Sequence, residues 1–226
     1  MKKYLYVAIF LLGFANTSYA DKGINIGLSL AAGVFETSAI EKEGATAGIE
    51  EKTEHRDAAG AFGIGSIFVE KEFPNDRFAV GIDYVPYALE SESSTHEQTD
   101  IKAGELEAAA TTGNNTAQVD FEHMLTLYAK INLTDNLYAK IGAMQVEAIT
   151  NEKLHTGSRY PDKTLNGMTF GMGYNHDFAN NAFVRVEASY MELGGETFKS
   201  TTNTDNTIIM SDITGAGAKL SIGKSF

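Results

Sequence analysis

The stretch "VDFEHMLTLYAKINL", residues 119–133, decides how this chain is read. Strict alternation puts Val119, Phe121, Leu125, Leu127, Ala129, Ile131 and Leu133 on one face with His123 among them. Asp120, Glu122, Thr126, Tyr128, Lys130 and Asn132 fall on the other. A period of two marks a β-strand whose faces meet different surroundings. The period returns in "MTFGMGYNHDF" (168–178), where Met168, Phe170, Met172, Tyr174 and Phe178 oppose Thr169, Gly171, Gly173, Asn175 and Asp177, and again in "FAVGIDY" (78–84) and "AFVRVEASY" (182–190).

Working outward, about eight such segments can be counted, the smallest even number that closes a transmembrane barrel. They run over 23–37, 58–73, 77–92, 116–134, 136–150, 165–178, 182–197 and 207–226. "PNDR", "TDN" and "ANN" are tight turns, whereas 38–57, 93–115, 151–164 and 198–206 read as long polar loops. Short turns at one end and long loops at the other describe an all-β, up-and-down, eight-stranded antiparallel barrel. Pro86 interrupts the third segment and calls for a bulge or a strand already above the bilayer, since Pro cannot donate to a ladder.

Alternation does not say which face is wet, so a soluble barrel with an apolar interior is the rival. Glycines and charges on the polar face suit a narrow lumen, and aromatics near the ends of the apolar face suit two interfacial girdles. Phe170 and Phe178 are ~20 Å apart along the axis at ~3.3 Å per residue and ~40° tilt, near the ~25 Å height of an apolar band. These observations turn the apolar face toward lipid.

The chain begins "MKKYLYVAIFLLGFANTSYA", with two lysines, an apolar run and small residues at Ser18 and Ala20. It reads as a secretory signal peptide over 1–20, leaving 21–226 as one barrel domain. The apolar run from Tyr4 to Phe14 is shorter than the ~20 residues of a spanning helix. Removing Lys2 and Lys3 from the 18 basic residues leaves 16 against 30 acidic ones. Such a surface repels phosphate backbones, so no nucleic-acid partner is expected. The absence of cysteine excludes disulfide scaffolds, thiolate metal sites and cysteine nucleophiles.

At the other end, "LSIGKSF" carries the alternation to the last residue, Phe226. With the strand pattern, this resembles the small bacterial outer-membrane β-barrels of the OmpA-barrel, OmpX and opacity-protein type, often called porin-family proteins. The resemblance covers the whole mature chain. It implies a bacterial outer-membrane location, both chain ends in the periplasm, lipid and lipopolysaccharide as neighbours, and a terminal strand read by the outer-membrane assembly machinery through Leu220, Ile222 and Phe226. Lys224 departs from the apolar residue preferred two places before the end, and is expected to snorkel into the headgroups.

No catalytic pattern stands out. Lipid A deacylases on such barrels use a His and a Ser two places apart, but Asp57, Gln98, Leu125, Gly157 and Phe178 follow the five histidines at that spacing. Neither GxSxG nor HExxH occurs. His123 and His176 are read as interfacial, and His55 with Glu51 and Glu54 as a solvated loop rather than a metal site. Gly63 with Gly65, Gly171 with Gly173, and Gly215 with Gly217 are read as small residues facing the lumen. Asn114 with Thr116 and Asn132 with Thr134 match a glycosylation pattern that carries no weight in such a chain.

The inward charges are more informative. Asp83, Lys130, Lys140, Arg185, Glu187 and Lys219 lie at similar depth, four cations against two anions, so Asp120, Glu122, Asp177 or water is expected to balance them. The expectation is a non-enzymatic, monomeric scaffold without cofactor or metal, presenting acidic loops to an unidentified surface ligand. From Glu36 to Asp57 seven acidic residues face Lys42, Lys52 and Arg56, and from Glu90 to Thr116 six face Lys102. A narrow channel for ions or small solutes is the alternative, and a lipid-modifying enzyme the third.

Overall fold

A computed structural model describes residues 23–43, 52–74, 77–87, 89–90, 94–100, 111–155, 157–202 and 205–226. The proposed signal peptide lies outside the described residues, as do 44–51 and 101–110 of the acidic stretches. The strands are β1 (Ile24–Glu43), β2 (Lys52–Glu72), β3 (Phe78–Val85), β4 (Leu89–Glu90), β5 (Ser94–Asp100), β6 (Thr111–Asn132), β7 (Leu137–Lys153), β8 (Lys163–Asp177), β9 (Ala182–Leu193), β10 (Glu196–Lys199), β11 (Thr207–Met210) and β12 (Ile213–Ser225). All pairings are antiparallel, and the ring runs β1, β2, β3, β6, β7, β8, β9, β12 and back to β1. β4 and β5 continue the line of β3 along β6; β10 and β11 pair with each other beyond the ends of β9 and β12. The result is an eight-stranded barrel.

Closure explains the alternation at the chain's end. β1 pairs with β12 from Asn25↔Ser225 to Glu36↔Thr214, and with β2 from Ile24↔Lys71 to Glu43↔Lys52. The Phe226 carbonyl accepts hydrogen bonds from the Gly23 and Ile24 amides at 2.9 and 3.3 Å. A polar, frayed terminus would leave this seam of the barrel open.

The outer face is apolar where a bilayer would touch it. Leu30, Met172 and Ile222 are 71%, 63% and 59% exposed, and Phe73, Phe78, Tyr174, Phe178 and Phe226 are exposed near the turn end. In water this surface would be a large exposed patch; around a closed barrel it is the lipid-facing band. Above it the strands continue. β2 has 21 residues, which at ~3.3 Å per residue and ~40° tilt rise ~50 Å, about twice the band. The stretches 38–57 and 93–115, expected as loops, are therefore partly strand: β1 and β2 form a ladder out to Glu43↔Lys52, and β5 pairs with β6. Pro86 lies outside any strand, where β3 stops at Val85.

The opening stretch holds a correction. His123 has φ 52°, and between Glu122 and Leu125 the β6–β7 register shifts, with Glu122 opposite Glu147 but Leu125 opposite Gln145. One extra residue on β6 reverses the faces. Val119 and Phe121 consequently pack against the buried Val146 cluster instead of sharing the lipid face with Leu125 and Leu127. Asp120 and Glu122 turn outward.

Candidate functional site: a two-storey lumen

The lower storey, nearer the tight turns, is built around Glu70, which is 1% exposed. Its Oε1 accepts from Asn25 Nδ2 (3.0 Å), Lys130 Nζ (2.7 Å) and Arg185 Nη2 (2.8 Å). Its Oε2 accepts from Tyr128 OH (3.1 Å) and Arg185 Nη1 (3.0 Å). Five donors from β1, β6 and β9 thus converge on one carboxylate of β2, with Arg185 gripping it bidentately. Lys130 also reaches Glu72 Oε1 at 3.2 Å.

Two further pairs complete the storey. Lys140 and Tyr138 donate to the two oxygens of Glu187, and Lys219 Nζ donates to Asp83 Oδ2 at 2.6 Å. Lys130 and Lys140 are direct cross-strand partners, a like-charge pair that would repel if left alone. Glu70 holds one and Glu187 the other. Each lysine also lies over the other strand's tyrosine, Lys130 5.6 Å from the Tyr138 centroid and Lys140 5.2 Å from that of Tyr128. Arg185 stacks 4.3 Å from the Phe183 centroid. A Cβ on Gly81 would strike the Tyr128 ring and one on Gly173 the Tyr138 ring, so those glycines let both tyrosines lie flat against the wall.

The structure brings together all six charges singled out from the sequence, in three separate pairings. The four cations are balanced, but not by the expected acids. Asp120 accepts from Gln118 and Asn151, Asp177 from Asn175, and Glu122 lies 3.7 Å from His123. Glu70 and Glu72 supply the missing negative charge. "IFVEKEF" hides them because it has apolar residues on both faces. The turn could have revealed them: with "PNDR" linking β2 to β3, Glu70 falls opposite Gly81 and Phe68 opposite Asp83, which sets Glu70 on the Asp83 face. The same parity sends Gly63 and Gly65 outward, opposite Ala32 and Leu30, correcting their placement in the lumen. Gly171, Gly173, Gly215 and Gly217 do face inward.

The upper storey is apolar. Met144, Val146, Ala148, Leu165, Leu193 and Ile213 form a buried cluster, with Phe35, Val119, Phe121, Met124, Met191 and Met210 packed against it. A cavity of about 20 Å³ remains in the charged storey, bounded among others by Ser29, Asp83, Lys140 and Glu187. That is room for a single water.

Other candidates lie elsewhere. Among the described residues no group of three His, Asp or Glu side chains is arranged to hold a metal; Glu51 falls outside them. His123 sits at the bulge with Nδ1 3.5 Å from Glu147, and His176 stacks edge-on against Phe178 at the turn end. Leu220 and Ile222 face outward on β12, and Lys224 Nζ lies 5.6 Å from the Phe226 ring centroid.

No family model matches the sequence, and no curated protein matches it. Solved structures do. The outer membrane protein OprG of Pseudomonas aeruginosa superposes with a TM-score of 0.50 at 10% identity, over 90% of this chain and 97% of that one. The outer membrane protease OmpT of Escherichia coli gives 0.49 at 10% identity over 93% and 99%. The outer membrane protein AlkL gives 0.49 at 12% identity over 93% of each chain. The OprG match agrees with the ring topology: the fold is that of the small outer-membrane β-barrels.

Proposed function

We propose that this chain is a non-conducting, non-enzymatic outer-membrane barrel that anchors a strand-built, acidic platform at the cell surface. The observation that carries the reading is the filled lumen: a salt-bridged storey with space for one water, stacked on an apolar storey. Eight strands leave little bore to begin with, and here side chains occupy it. What remains for function is the part above the band. There β1 and β2 continue as a ladder to Glu43↔Lys52, and beyond β7 and β10 Thr201 N donates to Arg159 O (2.7 Å) and Asn206 Nδ2 to Ser158 Oγ (3.2 Å). A rigid barrel carrying variable outer segments is a common way to place recognition on a scaffold. Lipopolysaccharide and a surface ligand are the partners this reading supplies.

Proteoliposomes carrying the purified barrel should swell in small sugars or amino acids no faster than protein-free vesicles, and cells lacking the protein should keep an unchanged lipid A profile. Solute-dependent swelling would support a channel, and an altered lipid A an enzyme. We further infer that the terminal strand serves as the assembly address. Deleting Phe226 should lower the folded, heat-modifiable form in the outer membrane, and wild-type levels would refute that role.

A further inference from the structure

The β6–β7 ladder breaks step at His123. Among the described residues only His123 and Asn181 pair a side chain with a positive φ, 52° and 63°. Asn181 lies in a tight turn, where asparagine tolerates that backbone. His123 lies inside a strand of 22 residues, where such a conformation persists only if the surroundings impose it.

The surroundings here are charged. Glu122 and Glu147 are direct cross-strand partners, a placement in which like charges repel. His123 Nδ1 lies 3.7 Å from Glu122 Oε2 and 3.5 Å from Glu147 Oε2. That nitrogen is buried and has no hydrogen-bond partner, although the side chain as a whole is 38% exposed. A bare Nδ1 lone pair would face two carboxylates, so the position calls for a proton on that nitrogen. The imidazolium form supplies the proton and an opposing charge together.

The other titratable positions that the flanking strands bring to this face are Asp120 on β6, which accepts from Gln118 and Asn151, Tyr84 on β3 opposite Leu125, and Glu90 on β4 opposite Asp120. Histidine is the one side-chain type among them whose ordinary titration falls between about pH 5 and 8. His123 is also ten positions from Leu133, or ~25 Å along the axis at ~3.3 Å per residue and ~40° tilt. It therefore stands at the edge of the lipid-facing band farthest from the tight turns. The bulge has a structural consequence as well, since it turns Val119 and Phe121 onto the apolar storey.

We propose that His123 is a proton-operated latch: charged, it bridges Glu122 and Glu147 and holds the outer half of β6 against β7, and neutral, it lets that half loosen and lifts Val119 and Phe121 off the apolar storey. Because the charged form makes the latch, the latch is present at acidic pH and is lost as pH rises through the range in which histidine gives up its proton. It rests on the bulge and its three side chains, and holds whether or not the lumen conducts.

The test is amide hydrogen exchange on the folded full barrel in detergent, read as protection factors so that the pH dependence of the chemical exchange step cancels. Protection at Val119–Glu122 should fall about three- to fivefold between about pH 5.5 and about pH 8, the size expected of a partly exposed ion pair, while Leu127–Asn132 stays unchanged. His123→Asn keeps a residue that tolerates the positive φ but cannot take the charge, and should give the same protection at both pH values. Glu147→Gln should shrink the fall. Heat-modifiable mobility verifies that each variant is folded. Equal wild-type protection at the two pH values, a fall that extends equally to Leu127–Asn132, or one that persists undiminished in His123→Asn or Glu147→Gln would each overturn the proposal.

Discussion

The two storeys of the lumen occupy the same bore and close it by opposite means. In the lower one, every contact is directional: Glu70 works because five donors from three strands reach it at hydrogen-bonding distance. In the upper one, Val146, Leu165 and their neighbours exclude space without fixing any partner. The lower storey lies nearer the tight turns and the upper one nearer the outer strand extensions. The difference teaches that the two should fail differently. Losing one member of a charge network leaves the others buried and unpaired, whereas losing methylenes leaves a void.

Glu70→Ala is expected to give the largest effect, ~3–5 kcal/mol of lost stability in urea unfolding from detergent or vesicles, because Arg185 would be left buried without its counter-charge and Lys130 with Glu72 alone. Adding Lys130→Met and Arg185→Leu should recover much of that loss. If the triple variant is no more stable than the single one, the network is not the unit of stability. Leu165→Ala in the upper storey should cost ~2–4 kcal/mol through cavity formation, and its cost should not change between low and high salt. A salt-dependent penalty there would mean that the storeys are coupled rather than independent.

The smallest effect lies outside both storeys. Lys163 Nζ sits 3.1 Å from Glu196 Oε1 on the outer extension, and this bond, with the Thr197 amide, lowers the Glu196 pKa below its ordinary value. A carboxyl lowered on folding stabilises above its unfolded pKa, and that contribution fades as pH falls through the folded value. The pair is solvent-exposed, so Glu196→Gln should remove no more than ~0.5 kcal/mol at neutral pH and nothing in strong acid. A larger loss would show that the extension is held more rigidly than a surface ion pair allows.

The barrel itself was legible because a lipid-facing strand must alternate, and runs such as 168–178 do so without interruption. The six inward charges were legible for the same reason: Arg185 and Glu187 stand out between Val184, Val186 and Ala188. What stayed hidden was whatever breaks or dilutes the period. His123 adds one residue and reverses Val119 and Phe121, a change invisible to a rule that counts by twos. Glu70 sits beside Phe68 in a strand that is apolar on both faces. The apolar upper storey was missed because the rule equates apolar with outward, and inside the lumen Val146 and Leu165 violate it.

Single-channel recording of the wild-type protein in planar lipid bilayers tests the sealed lumen most directly. Two intact storeys predict no stable openings at moderate voltage. Stable anion-selective openings from the wild type, altered by Arg185→Ala or Lys140→Ala, would contradict the account and make the charged storey the lining of a pore.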